Sequence, residues 1–149
     1  MKNNQTMSEE RVWRRVRGEE SQSQPDLGLP GLIAGEMGAA AVYLALSKRS
    51  AGQDGEVLRK MAREEQAHEA CLRGICRMMT GECPVVKVSA PVQEPLAVTL
   101  RRCYAGEMKS LAQYESRSYD REYGHVFARM AQQEREHCRL LLEIIGRQK

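Results

Sequence analysis

The chain has 149 residues, of which 42% are hydrophobic and 29% charged, and its formal net charge is +3. That length sets one domain as the expectation, with enough chain to bury a core. So small a charge excludes a surface built wholly for nucleic acid. Aromatic residues are only 5%, with one Trp and one Phe. Met, Leu and Ala must therefore fill the interior, which suits helices more than sheets.

No apolar run is expected to reach the roughly 20 residues that span a bilayer. Met1 to Gln24 is polar and charged and lacks the apolar stretch of a signal peptide. The reading is a cytoplasmic protein with no membrane partner. The five cysteines (Cys71, Cys76, Cys83, Cys103 and Cys138) are odd in number and lack CxxC spacing. That argues against a rubredoxin-type iron centre and against a zinc ribbon. They are expected to be reduced thiols, mostly packed as small hydrophobes.

Residues 1–28 read as an appended polar and basic arm. Ser8 to Glu20 has the pattern of a short helix, capped by Ser8 with Glu9 and Glu10 in its first turn. Arg11, Arg14, Arg15 and Arg17 surround Val12, Trp13 and Val16. The arm is either solvated or a docking segment for a partner, with Trp13 as anchor. Residues 21–25 read as a linker.

A helical bundle is expected over residues 29–149. The first helix runs from about Pro30 to Lys48. Residues 50–55 form a turn in which Asp54 is the expected N-cap of a second helix, which ends near Thr80 with Gly81 as its stop. Cys83 to Val92 holds Pro84, Pro91 and a β-branched run, so it is a connection. The third helix starts near Glu94-Pro95 and lasts to about Tyr119. Asp120 then caps a fourth helix that ends near Gly146. The short inner turns make two antiparallel hairpins. The longer middle connection permits one crossover, giving an all-α, ferritin-like antiparallel four-helix bundle.

Charged residues recur where apolar ones belong. The second helix carries the stripe Leu58, Met61, Glu65, His68, Leu72, Ile75, Met79, with steps of three and four. The fourth repeats it with Tyr123, Phe127, Met130, Glu134, His137, Leu141, Ile144. The first helix offers Leu29, Leu32 or Ile33, Glu36, Ala40, Tyr43 and Ser47. The third offers Leu96, Leu100, Cys103, Glu107, Ser110 or Leu111, and Tyr114. Each half thus supplies one lone Glu and one Glu-x-x-His pair, which reads as an internal duplication in spacing.

Four converging carboxylates would repel, and desolvation costs several kcal/mol per ion. Two divalent metals remove the conflict, and two imidazoles complete the coordination. The heights agree. Glu36 lies 16 residues before the first hairpin turn and Glu65 lies 13 after it; Glu107 lies 12 before the second turn and Glu134 lies 15 after it. At about 1.5 Å per residue these offsets differ by less than one helical turn. Glu115 sits too close to the second turn to join, and His125 faces away. Glu64, Glu69, Glu136 and Glu143 fall off the stripe and read as surface charges, with Glu64 the nearest rival to Glu65.

The spaced set Glu36, Glu65-Gln66-Ala67-His68, Glu107, Glu134-Arg135-Glu136-His137 resembles the ferritin-like superfamily over residues 29–146, and most of all the rubrerythrin di-iron domain. The resemblance implies two iron ions, with manganese as the alternative. It implies bridging by Glu65 and Glu134, terminal binding by Glu36 and Glu107, and one histidine, His68 or His137, on each ion. Tyr43 and Tyr114, seven residues after Glu36 and Glu107, match tyrosines that bond ligand carboxylates in that family and are the candidate catalytic residues. Two departures stand out. Ser110 occupies a position where a typical rubrerythrin has a second Glu, which puts the rubrerythrin-type peroxidase cycle in doubt. No rubredoxin domain is present, so electrons would come from an external donor.

The implied function is reduction of peroxide or O2 at a carboxylate-bridged iron pair. The alternatives are a ferroxidase or iron storage and delivery protein, and a non-catalytic metal-binding bundle or redox sensor. Dimerisation or higher oligomerisation is implied by the resemblance only.

Overall fold

The structure is a computed structural model and describes residues 28–148. The arm helix expected over 8–20, its Trp13 and the 21–25 linker lie outside the described residues. Four helices follow in order: α1 Leu29–Arg49, α2 Gly52–Thr80, α3 Leu96–Arg117 and α4 Gly124–Gly146. No strand occurs among the described residues.

Pro30 falls in the first turn of α1, where its missing N–H costs nothing. By length and composition α1 is apolar enough to cross a membrane, with a mean hydropathy of 1.5 over its best window. This departs from the expectation of no such run. Its Leu, Ile, Val and Ala content supplies the hydropathy, and its inner face of Leu32, Ile33, Glu36, Ala40, Tyr43 and Leu46 is buried in the bundle.

The α2 stripe is buried as expected from Leu58 to Ile75. Met79 is not; it lies in the last turn, beyond that buried stretch, and is 60% exposed. Gly81 ends α2 at φ +80, its N–H donating to the Arg77 carbonyl. In α4 the stripe is buried from Phe127 to Ile144, while Tyr123 is half-buried. α3 is the least buried helix; Cys103, Ser110 and Leu111 are half-buried.

Neither expected aspartate cap forms. α2 begins at Gly52, before Asp54, and Asp54 accepts from Arg147 Nη2 at 2.6 Å instead. Asp120 Oδ1 accepts the N–H groups of Glu122 and Tyr123 at 2.9 and 2.8 Å, closing a turn ahead of α4. Accordingly α3 ends at Arg117, short of Tyr119. Glycine sets both hairpins. A Cβ on Gly55 would lie 2.6 Å from the Ser50 carbonyl oxygen, and one on Gly124 would collide with the Ser118 carbonyl oxygen. Each helix start therefore sits directly against the end of the preceding helix.

The duplication reaches beyond the charged residues. Gly55, Leu58, Met61, Ala62, Glu65, His68, Leu72 and Ile75 correspond at constant separation to Gly124, Phe127, Met130, Ala131, Glu134, His137, Leu141 and Ile144, and all are buried. Glu36 and Tyr43 correspond in the same way to Glu107 and Tyr114.

α1 packs along α2, and α3 along α4; between hairpins, α1 meets α3 and α2 meets α4. α2 and α3 are therefore diagonal. Leu29 of α1, Cys76 of α2 and Arg117 of α3 meet around one hollow, so the α1 start, the α2 end and the α3 end share one end of the bundle. The 81–95 connection must then run the length of the bundle, the expected crossover. Arg73 ties it down, with Nη1 3.2 Å from the Pro84 carbonyl. Two apolar clusters fill the interior. One holds Leu32, Ile33, Leu72, Ile75, Tyr114, Phe127 and Met130. The other holds Tyr43, Leu46, Leu58, Met61, Leu100, Leu141 and Ile144. Glu65-His68 and Glu134-His137 fall between the residues of the two clusters along α2 and α4, so the polar layer has apolar walls above and below.

Candidate metal centre

All six expected ligand residues meet in that layer. Glu36, Glu65, His68, Glu107, Glu134 and His137 are each at most 4% exposed. They form two overlapping sets: Glu36, Glu65, His68 and Glu134, and then Glu65, Glu107, Glu134 and His137. Within each set the donor atoms lie within 4.8 Å of one another. Glu65 and Glu134 belong to both.

The geometry has approximate two-fold symmetry. His68 Nδ1 lies 2.7 Å from Glu134 Oε1, 3.5 Å from Glu65 Oε2 and 3.6 Å from Glu36 Oε2. His137 Nδ1 lies 2.7 Å from Glu65 Oε1, 3.6 Å from Glu107 Oε1 and 3.7 Å from Glu134 Oε2. Glu65 and Glu134 thus turn one oxygen toward each histidine. Tyr43 Oη donates to Glu107 Oε1 and Tyr114 Oη donates to Glu36 Oε1. These are the tyrosine contacts expected, and each runs between α1 and α3.

Seven buried side-chain atoms have no hydrogen-bond partner: Glu36 Oε2, Glu65 Oε1, His68 Nδ1, Glu107 Oε2, both oxygens of Glu134, and His137 Nδ1. The short contacts between them lack hydrogen-bond alignment. Orphaned buried donors and acceptors are costly. Carboxylate oxygens with one imidazole nitrogen on each side are the donor set that suits iron or manganese. The residues fit a pair of such ions.

The electrostatics show the strain within the cluster. Burial alone pulls both imidazoles down, yet Glu134, Glu36 and Glu65 around His68 hold it well above the usual histidine range. Glu107, Glu134 and Glu65 do the same for His137. Burial, with Glu36 adding to it, pushes Glu65 well up against the lowering pull of His137 and His68. Burial raises Glu134 to about 7 against the pull of His137 and His68. Glu107 moves the other way. Burial would raise it, but His137 and Glu134 beside it and the Tyr43 hydroxyl that donates to it bring it down to about 2. Burial first, then the Glu107 charge, lifts the Tyr43 phenol and pushes the Cys103 thiol up to about 12.

The decoys separate as expected, with one exception. Glu115 is exposed and pairs with Arg135. His125 is exposed. Glu69 pairs with Arg73 at 3.0 Å, and Glu136 and Glu143 pair with Arg139 on the surface. Glu64 is the exception. Its Oε2 lies 2.6 Å from His137 Nε2, so it is not an ordinary surface charge. Gln133 holds the equivalent place in the other half, with Oε1 2.6 Å from His68 Nε2. Both were missed because they fall off the apolar stripe. The available signal was that a ligating histidine needs a partner for its second nitrogen, and each of these residues directly precedes a ligand Glu.

A cleft of about 320 Å³ opens between α1 and α3. Gly35, Gly38 and Gly106 line it, and Glu36, Glu107, Tyr43 and Tyr114 form part of its wall. Ser110 also lines it, in the place where the resemblance would have put a further carboxylate. The cysteines are all free: Cys76 and Cys138 are buried, Cys83 and Cys103 half-buried, and Cys71 exposed. Cys71 therefore does not pack as a core residue.

Fold and site together define a ferritin-like bundle with a buried carboxylate–histidine centre. The rubrerythrin family profile matches residues 32–123, and the chain belongs to the rubrerythrin family. That match covers α1 to α3; Glu134 and His137, on α4, enter the centre through the structure. No curated protein and no solved structure matches the chain.

Proposed function

We propose that the chain is a di-iron oxidoreductase that reduces peroxide or O2, with electrons from an external donor protein or small reductant. The observation that carries the reading is the set of seven orphaned, buried ligand-type atoms around two centres. Glu65 and Glu134 would bridge the two ions. Glu36 and His68 would complete one, and Glu107 and His137 the other. When bound, the iron pair supplies two electrons, which with two protons take peroxide to two molecules of water.

The chain's own residues do the positioning. Each tyrosine hydroxyl donates to Oε1 of its carboxylate, Glu107 or Glu36, and leaves Oε2 free to serve as a donor to an ion. The apolar clusters above and below exclude water from the layer. The α1/α3 cleft gives a small oxidant a path to Glu36 and Glu107. Tyr43 and Tyr114, raised by burial, keep their protons at neutral pH and use them to hold Glu107 and Glu36 in place.

Ser110 favours a second reading, a ferroxidase that oxidises iron for storage or delivery and turns over slowly with peroxide. Homodimerisation or a larger assembly, and docking through the N-terminal arm, remain part of this proposal. Anaerobic Fe(II) titration of the metal-free chain, followed by a peroxide pulse read by absorption and Mössbauer spectroscopy, tests it. Two irons per chain, both oxidised within the pulse and re-reduced by a donor through repeated cycles, supports the oxidoreductase. Oxidation in a single round with iron released points to the ferroxidase. No saturable binding of iron overturns both.

A further inference from the structure

The two halves of the centre match residue for residue in their donors. Glu36 answers Glu107, Glu65 answers Glu134, His68 answers His137, and the Tyr114 bond answers the Tyr43 bond. The match fails one layer out. The outward nitrogen of His137 faces a carboxylate, Glu64 Oε2, at 2.6 Å. The outward nitrogen of His68 faces a neutral amide oxygen, Gln133 Oε1, also at 2.6 Å. With Nδ1 turned to the metal layer in both rings, Nε2–H is the donor in each of these bonds.

A carboxylate acceptor makes a charge-assisted bond of roughly twice the strength of a neutral one. It also draws the Nε2 proton toward itself and leaves Nδ1 a more basic donor. Glu64 is partly buried, with 27% of its side chain exposed. The charge that faces it is Lys60 Nζ, 3.6 Å from Oε1, on a side chain that is 67% exposed. Lys60 bonds the oxygen that His137 does not use, so Oε2 stays available to the imidazole. Two other charged differences flank the histidines, Glu69 where the second half has Cys138 and Glu136 where the first has Ala67. Each of these carboxylates is paired with an arginine, Arg73 and Arg139 respectively. Cys103 in place of Leu32 brings no formal charge.

We propose that Glu64 is a positioning residue that makes the two metal sites unequal, so that the ion held by His137 binds more tightly and fills first. The His68 site, backed only by Gln133, fills second and is the first to empty. This rests on the di-metal reading above, and its consequence is a defined order of loading: one ion seated on α3 and α4 plus the bridges, then a second on α1 and α2.

The test is titration of the metal-free full chain with Co(II), with histidine ring resonances followed by paramagnetic NMR. Cobalt shifts the Nε2–H signal of the ring it binds, so occupancy is read histidine by histidine. At one equivalent the shifted signal is expected at His137 in roughly 10- to 100-fold excess over His68, the usual range for such outer partners. Glu64→Gln keeps the shape and should bring the two signals to equal occupancy. The double variant Glu64→Gln with Gln133→Glu should reverse the order. Both positions lie outside the apolar core, and circular dichroism of each variant checks that the bundle is intact. Equal occupancy in the unmodified chain, or an order that survives Glu64→Gln, overturns the proposal while leaving the di-metal reading standing. Failure to bind cobalt saturably at either histidine overturns both.

Discussion

Replacing Glu134 by Met should move stability and metal binding in opposite directions. Glu134 is fully enclosed, turns one oxygen to each histidine, and has no hydrogen bond to either oxygen. In the metal-free chain it shares its layer with three further carboxylates. Burying a carboxylate costs several kcal/mol, and attraction to the two imidazoles offsets only part of that. Met has a similar length, adapts its shape and has no charge to desolvate. Apolar replacement of a whole buried ion pair is commonly neutral or stabilising by about 1–4 kcal/mol, whereas removing one partner alone destabilises by stranding the other. Here Glu36, Glu65 and Glu107 remain to face the two imidazoles, so Glu134→Met removes a surplus carboxylate and a gain of about 1–3 kcal/mol is expected. For a domain of this size that raises Tm by roughly 4–12 °C. The assay is calorimetry on chelator-treated unmodified and variant chains, paired with metal analysis after reloading. The variant should melt higher without metal and should retain at most one ion. A metal-free variant that melts several degrees below the metal-free unmodified chain would refute the reasoning, since it would mean that the carboxylate–histidine contacts stabilise the bundle by themselves.

Metal affinity should fall steeply with acid. Surrounding carboxylates hold His68 and His137 protonated at neutral pH, and Glu134 titrates at about 7. Metal needs these three and Glu65, which burial also pushes up, deprotonated, so binding releases protons and affinity rises with pH, by at least about two powers of ten per unit below neutrality. Chelator competition at two pH values checks this, and a flat profile would contradict it. Glu115→Ala should leave both ions in place and cost no more than about 0.5 kcal/mol, since Glu115 makes only a surface pair; loss of metal in the folded variant would argue against the placement of α3. Gly124→Ala should lower stability by about 1–3 kcal/mol through collision with the Ser118 carbonyl. Gly106→Ala, with nothing within 4 Å of the new Cβ, should raise it by up to about 1 kcal/mol. Urea denaturation of both variants decides, and equal effects would undo the argument.

The helices and the donor set were legible because the anomaly was in the pattern itself. Glu65, His68, Glu134 and His137 interrupt stripes that are otherwise apolar, and a buried charge needs a reason. Helix starts were less legible. Asp54 and Asp120 have the chemistry of caps, but the close passage of Gly55 and Gly124 over the preceding carbonyls decides where α2 and α4 begin. Glu64 and Gln133 escaped notice because periodicity sorts residues into inside and outside, and these two stand at the boundary. The membrane-length hydropathy of α1 is masked in the sequence because Glu36 interrupts the apolar run, while Leu, Ile, Val and Ala sustain the average.

The crossover at 81–95 links the two hairpins without contributing a donor. Every oxygen or nitrogen aimed at the centre comes from a hairpin, and each half-site borrows a bridging carboxylate from the opposite one. Neither hairpin can hold an ion in a complete set by itself. In engineering language, the centre is a rivet through two plates, and the connection is only the string that keeps the plates in the same bag. Cutting that string in its exposed stretch should leave two polypeptides that stay together through the two apolar clusters they share and are clamped further when metal is bound, so that chain continuity is not what defines the folded unit.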